Sequence, residues 1–76
     1  MDKDELKIAF GRHLTQLRKE RGMSIHQLAH ACYLEYSHVQ RIEKGKVNIA
    51  FTTLAALAQG LDTDLETLFA GFTIPQ

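Results

Sequence analysis

Cysteine and proline are scarce in this sequence, which contains one residue of each. Cys32 has no second cysteine to pair with, so an intramolecular disulfide is excluded. No stretch approaches the roughly 20 consecutive apolar residues that a membrane-spanning helix needs. The first residues, MDKDELK, are acidic and polar, unlike the start of a signal peptide. We therefore expect a cytoplasmic protein without a membrane partner.

An excess of either charge is also lacking, because nine basic and nine acidic side chains balance. These charges are unevenly placed along the chain. Residues 12–46 carry seven basic and three acidic side chains, whereas residues 47–76 carry three acidic side chains and no basic one. A basic middle beside an acidic end allows one surface to face a polyanion while the other is turned away from it.

Alternating polar and apolar residues, the pattern of β-strands, are missing, as are internal repeats and low-complexity linkers. Apolar residues instead recur at intervals of three and four, which is the spacing of amphipathic helices. We predict an all-α fold with five helices around one core. A chain of 76 residues has enough apolar surface for only one small core, so we expect a single domain over residues 1–76.

Catalytic patterns are absent as well, since no nucleophile with a base, no set of metal ligands and no phosphate-binding loop is found. His26 and His30 have the i, i+4 spacing of some metal ligands, but Gln27 stands beside His26 where a metalloprotease would carry Glu. We interpret the histidines as solvated or phosphate-facing residues. No enzyme activity, metal, other cofactor or small-molecule ligand is expected.

The first helix is predicted over about residues 4–21. Its buried face is formed by Leu6, Phe10, Leu14 and Leu17. Gly22 should end this helix, because glycine accepts the left-handed conformation in which helices often terminate. The second helix should begin after Ser24, whose hydroxyl can form a reciprocal capping box with the side chain of Gln27.

The third helix has a weaker start signal. Glu35 occupies its cap position, where Ser, Thr, Asp or Asn would be preferred, and Gly45 should end it. Val39 and Ile42 lie on its apolar side. The opposite side of this helix carries Tyr36, Ser37, Gln40 and Arg41.

Two further helices are predicted in the remainder of the chain. Asn48 is a candidate cap for the fourth helix, in which Gly60 costs about 1 kcal/mol relative to alanine. Asp64 with Thr67 can cap the fifth helix. Apolar side chains are concentrated near the C-terminus, within about residues 50–76, which favours a surface for self-association. We assign dimerisation to Leu65, Phe69, Phe72 and Ile74.

Two short helices joined by a tight turn, within about residues 24–44, are typical of a helix-turn-helix. In such a motif the second helix enters the major groove, and its exposed N-terminal residues reach base edges. Arg41 can donate two hydrogen bonds to guanine, and Gln40 can pair with adenine. Nearby basic side chains contact phosphates or remain solvated, and both interpretations stay open for Lys19, Arg21, Lys44 and Lys46.

The stretch LRKERGMSIHQLAHACYLEYSHVQRIEKGKVNIAFTTLAALAQGLDTDLETLF resembles the Cro and phage-repressor type of helix-turn-helix regulators, also called the xenobiotic-response-element family. Its most specific parts are LRKERGMS, QLA, RIEKGK and LAALAQGLDTDLETLF. The resemblance implies a lambda-repressor-like fold and a bacterial or phage transcriptional regulator that binds double-stranded DNA at a two-fold operator as a homodimer. Regulation would come from excluding RNA polymerase or from contacting it. The KVNIAF segment is similar to that of small restriction-modification controller proteins.

The resemblance also implies roles for individual residues. Positions that read bases in the family correspond to Tyr36, Ser37, Gln40 and Arg41. Contacts to the DNA backbone are assigned to Ser24, His38, Lys44, Lys46 and Asn48. Arg18 and Glu43 match a structural ion pair between the first and third helices, so Arg18 is not expected to contact DNA.

Three residues depart from the family pattern. Tyr33 stands where the turn usually has glycine or a short polar residue, and a left-handed tyrosine costs about 1–2 kcal/mol. Glu35 would lie near phosphates, and Ile25 replaces a glutamine that often contacts the DNA backbone. These departures keep a second hypothesis open, a protein-interaction module of the same fold, either antitoxin-like or polymerase-contacting. Steep loss of affinity with salt would identify the DNA-binding alternative.

Overall fold

The helical periodicity of the sequence corresponds to five helices in a computed structural model, which describes residues 1–76. They are α1 (Lys3–Glu20), α2 (Ile25–Cys32), α3 (Tyr36–Glu43), α4 (Phe51–Gly60) and α5 (Leu65–Leu68). There is no strand, and the predicted all-α fold is confirmed. α2 packs against both α3 and α4, while α1 packs against α3 and α4 against α5. None of the five helices has the length and apolar character needed to traverse a bilayer.

One hydrophobic core joins α1 to α4 and the short helix α5. Its buried side chains are Phe10, Leu14, Leu28, Ala29, Cys32, Val39, Ile42, Leu57, Ala58, Leu61 and Leu68. Because α2 and α3 both contribute to this core, tertiary packing fixes their relative orientation.

Side-chain caps set the start of three helices. Asp2 accepts hydrogen bonds from the backbone N–H groups of Asp4 and Glu5 and begins α1. The capping box predicted at α2 is present: the Ser24 hydroxyl accepts from the Gln27 N–H at 3.1 Å, and the Gln27 side chain accepts from the Ser24 N–H at 2.8 Å. The capping satisfies N–H groups that a helix start otherwise leaves unpaired.

The predicted cap of α5 is also confirmed, since Asp64 accepts from the Thr67 N–H at 2.7 Å. This hydrogen bond favours the carboxylate and lowers the pKa of Asp64. At the other end of the chain, α1 ends before Gly22, which has a positive φ of 65° as predicted.

Asn48 does not cap α4, contrary to the sequence-based prediction. The helix begins at Phe51, with Ala50 at the cap position and no side-chain hydrogen bond. Ile49 packs partly buried against the core, so the chain continues in an extended conformation beyond Asn48 before the helix can begin. The burial of one apolar residue therefore outweighs a local capping preference.

Two glycines allow helices to approach each other closely. A Cβ atom at Gly60 would overlap the Cys32 sulfur, and one at Gly11 would overlap the backbone carbonyl oxygen of Glu43. Gly60 therefore permits the contact between α2 and α4, which explains a residue that disfavours helix formation. Gly11 permits the corresponding contact between α1 and the end of α3.

Candidate nucleic-acid interface

The turn between α2 and α3 places Tyr33 in the left-handed conformation, with φ 57° and ψ 39°. The next residue, Leu34, packs partly buried against the core, and its N–H donates to the carbonyl of Ala29 at 2.9 Å. The Tyr33 side chain is 95% exposed, so it makes almost no packing contact that would offset the strain. The turn thus keeps the geometry of a helix-turn-helix despite an unfavourable residue.

α3 begins without a side-chain cap. Glu35 occupies the cap position and its side chain makes no hydrogen bond there. Its backbone carbonyl accepts from the N–H groups of His38 and Val39, but the N–H groups of Tyr36 and Ser37 find no acceptor in the chain. The start of α3 therefore offers two unpaired donors at the positive end of the helix dipole.

The two faces of α3 are sharply different in burial. Val39 and Ile42 are fully buried in the core. On the other face, three of the four predicted base-reading side chains are exposed and the fourth is half-buried: Tyr36, Ser37, Arg41 and Gln40. The spacing i, i+1, i+4 and i+5 places them together on one side of the helix, directed away from the core.

The residues expected to contact the DNA backbone come from three parts of the chain: the start of α2, α3 itself and the segment after α3. Lys44, Lys46 and Asn48 are exposed in the segment that follows α3. Ser24 is exposed at the start of α2, where its oxygen is already the helix cap, while its hydroxyl hydrogen can still be donated. His38 is half-buried on α3.

A stack between His26 and Tyr36 connects the starts of α2 and α3. The ring centroids lie 4.0 Å apart and the ring planes are inclined by 21°. This pair was not predicted from the sequence, because ten positions and a turn separate the two residues and no helical spacing relates them. An aromatic residue at the start of each helix of a helix-turn-helix is the only signal that the sequence offers.

Arg18 forms a buried ion pair with Glu43. Its Nε donates to Oε2 at 2.7 Å and its Nη2 donates to Oε1 at 3.0 Å, and Nη1 donates to the Met23 carbonyl. The hydroxyl of Thr15 donates to the same carboxylate at 2.8 Å. The hydrogen bond to Glu43 raises the pKa of Arg18, and three of the five guanidinium N–H groups donate within the chain, two of them joining α1 to the end of α3.

Arg21 also forms a contact within the chain. From the sequence, both a phosphate contact and a solvated side chain were open for this residue. Its Nε donates to the carbonyl of Leu61 at 3.0 Å, just beyond the end of α4. A cation at this point pairs with an otherwise unpaired carbonyl at the end of α4 and complements the helix dipole. Lys19, Lys44 and Lys46 are exposed and make no salt bridge, so they are available for an external anion.

His13 secures the C-terminal segment to α1. Its Nε2 donates to the carbonyl oxygen of Leu68 at 2.7 Å, and its ring lies 5.4 Å from the ring of Phe72. The structure therefore gives His13 and His26 partners within the chain. No group of three or more His, Cys, Asp or Glu side chains is close enough together to hold a metal ion.

The residues assigned to dimerisation are only partly available at the surface. Phe69 and Phe72 pack on Phe10 of the same chain, with ring centroids 5.6 Å and 5.9 Å away, and Leu65 is partly buried against the core. Ile74 is 56% exposed. An apolar groove of about 530 Å³ lies here, which we call the tail groove; its apolar walls include Leu6, Phe10, Val47, Leu54, Phe72 and Ile74.

Comparison with known proteins identifies relatives of the whole motif. The family model described as a helix-turn-helix domain matches residues 9–70. The control protein C.MunI from a Mycoplasma species is 34% identical over 68 residues, which cover 88% of this chain and 92% of that protein. The restriction-modification controller protein C.AhdI from Aeromonas hydrophila is 34% identical, with a TM-score of 0.78 over 82% of this chain and 94% of that one.

A transcriptional regulator of the HTH_3 family from Vibrio cholerae has the same fold within a longer chain. It is 28% identical, with a TM-score of 0.83, and the match covers 91% of this chain and 39% of the Vibrio protein. The segment that the helix-turn-helix family model matches, residues 9–70, contains α2, the turn and α3, together with the helices that support them. The chain therefore belongs to the helix-turn-helix family of DNA-binding transcriptional regulators.

Proposed function

We propose that this protein controls a restriction-modification system by binding a two-fold symmetric operator as a homodimer. Two relatives that are each 34% identical to it are named a control protein and a restriction-modification controller protein. The observation that supports DNA reading is that α3 has one buried apolar face and one solvent-facing polar face. Its buried residues Val39 and Ile42 fix the helix, and its opposite side presents a polar and aromatic surface to solvent.

In the proposed complex, α3 enters the major groove, where Arg41 donates to guanine and Gln40 pairs with adenine. Tyr36 and Ser37 reach the neighbouring base edges or the thymine methyl group. The phosphates on either side are contacted by Ser24, His38, Lys44, Lys46 and Asn48. The excess of basic side chains over residues 12–46 provides attraction to the phosphates, while the acidic side chains Asp62, Asp64 and Glu66 lie before and in α5, outside the helix-turn-helix.

Dimerisation through the C-terminal part of the chain accounts for the two-fold site. Residues 1–76 act as one helix-turn-helix domain, and each copy reads one half-site, with the half-sites about 34 Å apart on one face of the duplex. Leu65, Phe69, Phe72 and Ile74 belong to this surface. Since Phe69 and Phe72 already pack on Phe10, the exposed Ile74 and the open tail groove make the contact with the second copy.

The bound dimer regulates transcription by excluding RNA polymerase from the promoter or by contacting it. Both routes place the protein in the cytoplasm with the DNA that it binds. We propose that the protein's own concentration sets the occupancy of the operator.

Selection of bound duplexes from a random DNA library, at about 100 mM salt where phosphate contacts still contribute, tests the proposal. We expect enrichment of a two-fold symmetric sequence, with Arg41→Ala relaxing the preference at one position in each half-site. Enrichment of a single half-site without symmetry would contradict the dimer. Absence of any enrichment from folded protein would overturn the DNA-reading role and direct attention to a protein partner.

A further inference from the structure

The stack of His26 on Tyr36 differs from every other aromatic pair in the protein. Its centroid separation is 4.0 Å and its interplanar angle is 21°, whereas the remaining pairs lie 5.4 to 6.2 Å apart with angles of 44° to 78°. Those other pairs belong to the packed cluster around Phe10. The His26 pair lies instead at the surface, where no core packing holds the rings together.

The ring of His26 is the only aromatic ring that contacts Tyr36. It is the first residue of α3, its side chain is 37% exposed, and its hydroxyl has no hydrogen-bond partner within the chain. Tyr33, in the turn before α3, has no aromatic neighbour and is 95% exposed. The ring of His26 therefore restricts the orientations of the Tyr36 phenol and leaves its hydroxyl available to an external group.

The position of His26 is itself fixed by local structure. It is the second residue of α2 and lies within the first turn, which the capping box between Ser24 and Gln27 closes. That reciprocal cap satisfies two backbone donors and restrains the start of the helix. Core packing already fixes α2 relative to α3, and the ring contact adds a restraint on the Tyr36 side chain itself.

We infer that His26 is a positioning residue for DNA recognition, which holds the Tyr36 ring in the orientation that meets a base. This inference rests on the proposed function, since it requires Tyr36 to lie in the major groove. An ordered aromatic side chain loses less conformational entropy on binding than a mobile one, so the stack raises affinity and sharpens base preference together. Its effect passes through Tyr36 and needs no contact between His26 and DNA.

Affinity and base preference of His26→Ala test the inference, with His26→Phe as the variant that keeps a flat ring. We expect His26→Ala to weaken operator binding about 2- to 10-fold, the range that an aromatic pair can supply, and to relax preference at the base that Tyr36 meets. His26→Phe should restore most of the preference. His30→Ala is the matched control, because His30 is an exposed histidine one turn later on α2 that has no aromatic partner.

Two further measurements separate positioning from a direct phosphate contact. A plot of the logarithm of affinity against the logarithm of salt concentration separates the two cases. A lost phosphate contact would reduce the magnitude of its slope by about one, whereas loss of the stack should leave the slope unchanged. In a Tyr36→Ala background, His26→Ala should have no further effect. A reduced salt slope, additive losses in the double variant, or unchanged binding by His26→Ala would each overturn the inference.

Arg41→Ala, measured in parallel, distinguishes failure of the proposed role of His26 from failure of the proposed function. If it relaxes base preference while His26→Ala does not, the stack has no role in recognition but the proposed function stands. If neither variant changes base preference, both the proposed function and the role of His26 are overturned. Thermal unfolding of each variant checks that the changes in binding come from folded protein.

Discussion

The guanidinium of Arg18 and the carboxylate of Glu43 form two roughly parallel hydrogen bonds inside the protein, of 2.7 and 3.0 Å. Only 9% of the Arg18 surface is exposed. Removing one member of such a pair leaves the other as an uncompensated buried charge, which is more damaging than the absence of both. The pair is thus a strong constraint on the position of the end of α3.

We predict that Glu43→Leu lowers the free energy of unfolding by about 3–5 kcal/mol, because Arg18 remains buried without its partner. The double variant with Arg18→Met should recover much of this loss, since neither charge is then buried. Urea denaturation of the two single variants and the double variant measures the effects. Additive losses in the double variant would contradict the prediction.

Tyr33→Gly should raise the free energy of unfolding by about 1 kcal/mol, because glycine adopts the left-handed conformation without strain and the exposed tyrosine ring contributes no packing. Tyr33→Ala serves as the control, since alanine retains the strain and removes the same ring. Thermal denaturation compares both with the parent. A less stable glycine variant would mean that the ring contributes an interaction in the folded state.

The stability of the protein should decrease as the pH rises from about 9 to 11. Burial raises the pKa of the Cys32 thiol from an ordinary value of 9.0 to about 11. The folded state therefore retains its proton in this range while the unfolded state loses it, and the contribution of at most about 3 kcal/mol is full below the unfolded pKa and lost as the pH rises through the folded pKa.

Comparison with Cys32→Ala isolates this contribution, because other groups titrate in the same interval. The alanine variant should be less stable at neutral pH from the lost packing, and the difference from the parent should shrink as the pH rises. Chemical denaturation at a series of pH values measures the difference. A constant difference between the two proteins would show that the thiol ionises equally in both states.

Glu35→Ser should tighten DNA binding and stabilise α3. Serine at the cap position can accept from a backbone N–H of the first turn, a contribution of about 1 kcal/mol, and the substitution removes a negative charge from the start of a helix that approaches phosphates. Titration of operator DNA with Glu35→Ser and Glu35→Gln compares the cap with removal of charge alone. Weaker binding by both variants would indicate that Glu35 itself accepts from a base, such as the N4 amino group of cytosine.

Arg41→Ala and Lys46→Ala should have different effects on specificity. The arginine variant should lose about 1–3 kcal/mol of discrimination at one base position, whereas the lysine variant should weaken binding to all sequences alike and reduce the salt slope by about one. Competition binding with the operator and a scrambled duplex at several salt concentrations measures both quantities. Equal losses on both duplexes from both variants would contradict the assigned roles.

Local signals in the sequence predicted much of this structure. The capping box at Ser24, the cap at Asp64 and the termination at Gly22 each depend on residues within a few positions of one another, and the structure confirms them. The outward side of α3 followed in the same way from the spacing of Val39 and Ile42. Periodicity and capping act over short distances, so the sequence alone is sufficient to detect them.

Contacts between distant parts of the chain could not be predicted in this way. The hydrogen bond from Arg21 to the Leu61 carbonyl joins residues 40 positions apart, and the stack of His26 on Tyr36 crosses a turn. The wrong cap at Asn48 has the same origin, because the position of α4 depends on the packing of Ile49 against a core formed elsewhere in the chain. Such features require the tertiary structure.

The close contact at Gly11 has a consequence for operator geometry. Because Gly11 brings the backbone of α1 close to the end of α3, we expect the two helices to behave as one rigid unit, and α1 also carries Phe10 and His13, which contact the C-terminal segment. In a dimer joined at the C-terminal segment, α1 would therefore fix the distance between the two copies of α3. The protein should tolerate changes in the bases of its site far better than insertion of a single base pair between the half-sites.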